Sequence, residues 1–310
     1  MSAPILKGPY RLTLRLHRQA LWTLTAAVGA ALALLIGLRA WADGGAVGER
    51  GFTEPNLGWH MLRETLIRGG AGLLFLPALV GAFVAGPMIA RELESGTWRF
   101  ALSQSTTPRA WLASKVLPAF MVSVLAAAAL VGIYRLAWAP ISGSWQLSWA
   151  DRGTYEATGI VLGASCLLGV AVGALVGQLV RRTLVAMGVT AVLTSLVVVG
   201  LGFLRWSILP VETLTAPFDG RFAMVAPPDA LLIDSGLVTA TGVRLPEFAC
   251  AEAGQALSGC GAALNVTERY ADFHPSSHYW TTQLIESGIV LALTAILLHA
   301  AFRLLRTRRG

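Results

Sequence analysis

Charge is scarce in this chain. Asp, Glu, Lys and Arg make up 13% of its 310 residues, about half the share of an ordinary soluble domain. Lysine is nearly missing, with only Lys7 and Lys115, so arginine carries most of the net charge of +7. Three cysteines are too few for a disulfide scaffold. The sequence has no G-x-x-x-x-G-K-[ST] phosphate loop, which excludes ATP hydrolysis by this chain, and no H-E-x-x-H or G-x-S-x-G motif. No apolar run holds the several carboxylates of a proton-coupled carrier.

What the chain has instead is hydrophobicity in blocks, at 55% of residues and a mean hydropathy of +0.63. Six runs are long enough to cross a hydrocarbon core of about 30 Å: Ala20–Trp41, Gly69–Ala90, Val116–Trp138, Ala157–Val180, Thr183–Leu204 and Tyr279–Leu304. Backbone polar groups cannot go unpaired in lipid, so each is expected to be a helix. The fold class is an all-α polytopic membrane protein with six transmembrane helices. The first run is too long for a cleaved signal peptide, and no clean A-x-A site follows Trp41.

Basic residues flank the runs, which favours membrane orientation over nucleic-acid binding. With the N-terminus inside, the inner pieces hold Lys7, Arg11, Arg15 and Arg18, then Arg91, Arg99, Arg109 and Lys115, then Arg181 and Arg182, then Arg303, Arg306, Arg308 and Arg309. Only Glu92 and Glu94 of the 17 acids fall there. Both termini are thus placed in the cytoplasm. Residues 1–19 put Arg11, Arg15 and Arg18 on one face of an amphipathic segment suited to an anionic membrane surface.

Outside lie two short loops and a longer segment, residues 205–278, expected to form a small folded cap, before the last span and basic tail of 279–310. The cap holds Cys250 and Cys260. An oxidising compartment favours a disulfide between them, worth about 2–3 kcal/mol by loop entropy, and two free thiols are the alternative. Cys166 is expected to be a buried free thiol, and no metal-ligand pattern occurs. Glu286, about two turns into the last span, is either an intramembrane functional group or a side chain near the interface pairing with Arg205 or Arg135. Gly159, Gly163, Gly169, Gly173 and Gly177 in the fourth span, spaced mostly by four, predict close helix packing. Pro77, Pro87 and Pro118 predict bends.

The sharpest feature is the inner turn 91–115, inside the segment 20–204 that holds the first five spans. After Ala90 it reads RELESGT, Arg91 to Thr97, then continues through Arg99 to TPRAWLASK, Thr107 to Lys115. Gly96 can end a helix, and Thr107 followed by Pro108 can start one, which predicts a short helical piece at the membrane surface. This turn resembles that of the ABC-2 family of ABC transporter permeases, which carry an E-x-E-x-G-T element after the second span, then a proline–arginine segment and a lysine. The matching residues are Glu92, Glu94, Gly96 and Thr97, then Pro108, Arg109 and Lys115. The resemblance implies six spans with both ends inside, in a bacterial cytoplasmic membrane.

The resemblance further implies a transport subunit, not an enzyme, that needs no cofactor of its own. A separate ATPase dimer, binding ATP and Mg, would push this turn, and a second copy or a paralogue would complete the path. The large loop is similar to that of members linked to drug or antibiotic export, which implies an amphipathic or lipophilic cargo. Glu92 and Glu94 would reach either arginines on the ATPase or Arg91, Arg99 and Arg109 in cis. A membrane-anchored sensor or assembly factor whose cap binds a ligand is the alternative reading.

Overall fold

A computed structural model describes residues 18–43, 57–98, 100, 107–139, 147–220, 225–252, 254 and 257–307. It contains six helical stretches long and apolar enough to cross a membrane: Thr25–Asp43, Leu76–Glu94, Pro108–Trp138, Val161–Val180, Thr183–Ser207 and His278–Leu305. The described residues form two compact units. One is the helical bundle. The other, residues 147–151 and 206–282, carries a four-stranded antiparallel sheet. The amphipathic reading of residues 1–19 lies largely outside the described residues, as do Arg99 and the tail residues Arg308 and Arg309.

The bundle begins with α1 (Arg18–Asp43) and α2 (Leu57–Leu73), the latter where a loop was expected. Its buried face is Gly58, Leu62, Leu66 and Gly70, spaced as one helical stripe. The second span starts later than the sequence suggests, at Leu76 rather than Gly69. Pro77 has no N–H to donate, and its ring would meet the carbonyl of Leu73. The chain therefore turns between α2 and α3 (Leu76–Val80). A π-helical turn, Gly81–Ala85, follows, and then α4 (Gly86–Glu94). The wide turn lies directly before Pro87, which displaces the carbonyl of Phe83 in the same way, and Gly86 N–H bonds five residues back to Gly81.

The third span is α5 (Pro108–Trp138). Thr107 caps it, its hydroxyl accepting from Ala110 N at 3.2 Å, with Pro108 in the first turn. Thr107 starts a helix as expected, but it is the third span itself, running through Lys115 and Pro118 to Trp138, while Thr97, Trp98 and Phe100 of the turn are also helical. The fourth span is also corrected at its start. A short helix, α6 (Thr154–Thr158), ends at Gly159, and α7 (Val161–Val180) begins after it. The fifth span, α8 (Thr183–Leu204), has the predicted bounds.

Helix α7 is the centre of the bundle, with 83% of its apolar window buried. Three of its glycines let the second span approach by backbone. A Cβ on Gly169 would lie 2.2 Å from the carbonyl oxygen of Pro77. One on Gly173 would lie 2.8 Å from that of Gly81, and one on Gly177 3.0 Å from that of Gly86. Gly163 departs from the expectation: a Cβ there would meet only Ala127, at 4.0 Å. Around this contact Ile89, Leu112, Val116, Val170 and Leu305 form a buried cluster from four spans.

In the second unit the strands run β1 (Glu212–Pro217), β2 (Leu231–Thr239), β3 (Arg244–Pro246) and β4 (Val266–His274), in sheet order β1-β4-β2-β3. The cap predicted only as a small folded unit is thus built on a sheet. Two short helices, α9 (Ala249–Glu252) and α10 (Leu257–Ala263), pack with it, Cys250 lying in a cluster with Leu237 and Val266. Cys250 is disulfide-bonded. The side chain of Cys260, its expected partner, lies outside the described residues. Cys166 is a buried free thiol. The last helix, α11 (His278–Thr307), starts directly after the sheet.

Candidate functional site

Two clusters of polar side chains stand out in the bundle. The first is at the end of α4. Arg91, Glu92 and Glu94 lie on its last turn, not in the loop as expected, because the helix runs on to Glu94 before Ser95 and Gly96 stop it. Gly96 has φ +74°, the left-handed conformation that suits glycine after a helix end. The Thr97 hydroxyl lies 3.0 Å from that of Ser95 and 3.5 Å from the carbonyl oxygen of Glu92.

Among the described residues the two carboxylates bond to groups other than Arg91 and Arg109, and Arg99 lies outside them. Glu92 accepts from the indole N–H of Trp111 at 2.8 Å and from Lys115 Nζ, both on α5. Trp111 and Lys115 are one turn apart, so a single face of α5 holds this carboxylate. Glu94 accepts from the backbone N–H of Thr183 at 2.9 Å and from its hydroxyl at 2.6 Å. Thr183 is the first residue of α8, whose leading N–H groups have no partner within the helix. Glu94 thereby serves as a cap for another helix, with Arg91 and Arg182 in its electrostatic surroundings. Arg91, Arg109, Arg181 and Arg182 are exposed at their positions.

The second cluster is buried. The Arg205 guanidinium donates from Nε and Nη2 to the two carboxylate oxygens of Glu286, at 2.7 and 2.9 Å. Nη2 also donates to Glu156 at 2.7 Å. The three side chains are only 3–8% exposed. The second oxygen of Glu156 accepts from the backbone N–H of Gly153 at 2.8 Å, and the Tyr155 ring stacks on the guanidinium at 3.8 Å. Burial, then the nearby Glu286 carboxylate, push the Tyr155 hydroxyl above its ordinary value, so it keeps its proton. Glu286 thus pairs with Arg205, one of the two partners named for it. Arg135 instead donates from Nε to the carbonyl of Thr158.

The break at Gly159 is part of this cluster. It interrupts the backbone ladder between the carbonyl of Tyr155, which the Thr158 hydroxyl approaches at 3.4 Å, and the N–H of Val161. The Gln283 side chain satisfies both, accepting from Val161 N at 3.0 Å and donating to Tyr155 O at 2.8 Å. Its amide occupies the space a Cβ on Gly159 would need, so Gly159 packs against a side chain and not against a helix backbone.

Sequence reasoning missed Trp111, Thr183, Glu156 and Gln283. Trp111 had a usable signal in its four-residue spacing from Lys115. Glu156 had one too, as an acid beside an apolar run and between two glycines. Among the described residues no group of three His, Cys, Asp or Glu side chains could hold a metal ion.

The family model described as ABC-2 membrane transporter related matches residues 51–205, which include the whole inner cluster and all of the buried one named above except Gln283 and Glu286. No curated protein and no solved structure matches the chain.

Proposed function

The chain belongs to the ABC-2 membrane transporter related family, and from that premise we propose that it is the membrane-spanning subunit of an ATP-driven exporter of an amphipathic or lipophilic compound. A separate ATPase dimer, carrying ATP and Mg, drives it through the turn 91–115. A second copy or a paralogue completes the pathway. In this reading both termini face the cytoplasm of a bacterial cell.

The observation that supports the reading best is the wiring of α4. Its last turn is bonded to the third span by Glu92 and to the fifth by Glu94. A displacement delivered to the exposed turn beyond Gly96 would then be shared by three membrane helices. The carboxylates act as internal struts in this account, and the exposed arginines around them face the partner. The test is Glu92→Ala/Glu94→Ala in the full chain, reconstituted with a phosphate-loop ATPase subunit that the wild-type chain stimulates. The double variant is expected to insert and to bind the ATPase while losing stimulation of ATP turnover. Undiminished stimulation would overturn the role of the turn.

A further inference from the structure

We infer that His274 and His278 form a pair that accommodates at most one positive charge, so that acidification breaks their contact. The two residues close the turn between β4 and α11, His274 being the last residue of the strand and His278 the first of the helix. Their Nδ1 atoms face each other at 3.1 Å. The other nitrogen of His274, Nε2, lies 3.1 Å from the carbonyl oxygen of Trp206.

The geometry fixes the protons. A carbonyl can only accept, so His274 Nε2 carries a hydrogen. Neutral His274 then has a lone pair on Nδ1, and His278 must donate to it from its own Nδ1. The remaining nitrogen of His278, Nε2, lies 3.6 Å from a Glu212 carboxylate oxygen on β1. It can be bare or protonated without disturbing the pair. A proton on His274 Nδ1 is different, because two N–H groups would then point at each other across 3.1 Å.

The surroundings favour the same order of events. His274 is 1% exposed, and its imidazolium is held below the ordinary histidine range first by burial and also by His278, against the Trp206 carbonyl and Glu212. His278 is more open and has Glu212 beside it, which offsets its place at a helix N-terminus. On the far side of the turn Asp229 is engaged by Ser276 at 2.6 Å. The geometry therefore leaves room for one added proton, with His278 Nε2 beside Glu212. The second, on His274, separates the rings, in the range of about pH 5–6 or below where histidine clusters act as switches. This inference does not depend on the transport reading.

The test is histidine-selective ¹⁵N NMR of the full chain in detergent micelles, titrated from pH 7.5 to 4.5. Single His274 and His278 variants assign the signals. At pH 7.5 we expect His274 as the Nε2–H tautomer and His278 with a hydrogen on Nδ1. On acidification we expect the pair to titrate in two steps at least about one pH unit apart, a tenfold difference in proton affinity, with His274 losing its contact in the lower one. His278→Ala should shift the His274 step upward. A single shared step at the ordinary histidine value, or His274 found as the Nδ1–H tautomer, would overturn the inference. The wild-type titration alone decides this if the alanine variant does not fold.

Discussion

Glu94 caps a helix 89 residues away, accepting from both the backbone N–H and the hydroxyl of Thr183. A capping acceptor has a specific signature in mutagenesis. Glutamine keeps an oxygen that can accept from Thr183 N, whereas alanine keeps none. Glu94→Ala should therefore lower the thermal unfolding temperature of the detergent-solubilised chain more than Glu94→Gln does. Equal losses would mean that the charge matters, through Arg91 and Arg182, and not the cap.

The Arg205 cluster predicts a larger effect. Removing one partner of a buried ion pair leaves charge without compensation, at a cost of about 3–5 kcal/mol. Arg205→Ala strands two buried carboxylates, so it should destabilise the bundle by that order, read as a shift in denaturant midpoint. Arg205→Met combined with Glu156→Gln and Glu286→Gln removes all the charges at once and should recover most of the loss. If the triple variant is as unstable as Arg205→Ala, packing and not electrostatics governs the site.

Two glycines of the same helix should respond with opposite signs. Alanine at Gly169 puts a Cβ into the carbonyl oxygen of Pro77, and overpacking of this kind costs about 1–3 kcal/mol. Alanine at Gly163 makes an ordinary van der Waals contact with Ala127 and removes a helix-interior glycine, a gain of roughly 0.5–1 kcal/mol. Thermal unfolding of the two single variants checks this. Similar behaviour of both would mean that the glycine stripe does not set the distance between the second and fourth spans.

In the sheet, the Thr213 hydroxyl at 2.5 Å, with Arg244 at 2.7 Å, holds the Asp272 carboxyl below its ordinary value. A depressed carboxylate contributes stability that is present above the unfolded value of about 3.9 and is lost as pH falls through the folded one. The sheet unit should lose stability below about pH 4, and Asp272→Asn should flatten that acid limb while lowering the plateau at neutral pH. Hydrogen exchange in β1 and β4 as a function of pH reads both. An unchanged acid limb in the variant would rule Asp272 out as its source.

The six spans were legible because each is a long apolar run, and α8 shows how well that works when a run has clear ends at Arg182 and Arg205. The second and fourth spans were misplaced at their starts for local reasons. Pro77 and Gly159 interrupt runs whose hydropathy does not change there, so composition passes over a backbone break. The inner carboxylates were found as residues, but the contacts they make within the chain were not. Charge counting points to arginines, whereas the contacts are an indole, a lysine one turn away and a helix end. Glu286 was found with its partner Arg205, since two opposite charges near one membrane face have few other choices. The sheet left little trace, because its strands are short and mix polar with apolar residues on partly exposed faces.

Gln283 has a mechanical consequence. It belongs to the last helix, yet it completes the backbone of the broken start of the fourth. Sliding one helix past the other by a single turn would pull the Gln283 amide away from the Tyr155 carbonyl and the Val161 N–H, both on buried residues, at a cost in each case for the lost bond. The fourth and sixth spans are thereby tied together at that level by a side chain, whereas the second span meets α7 along a glycine track.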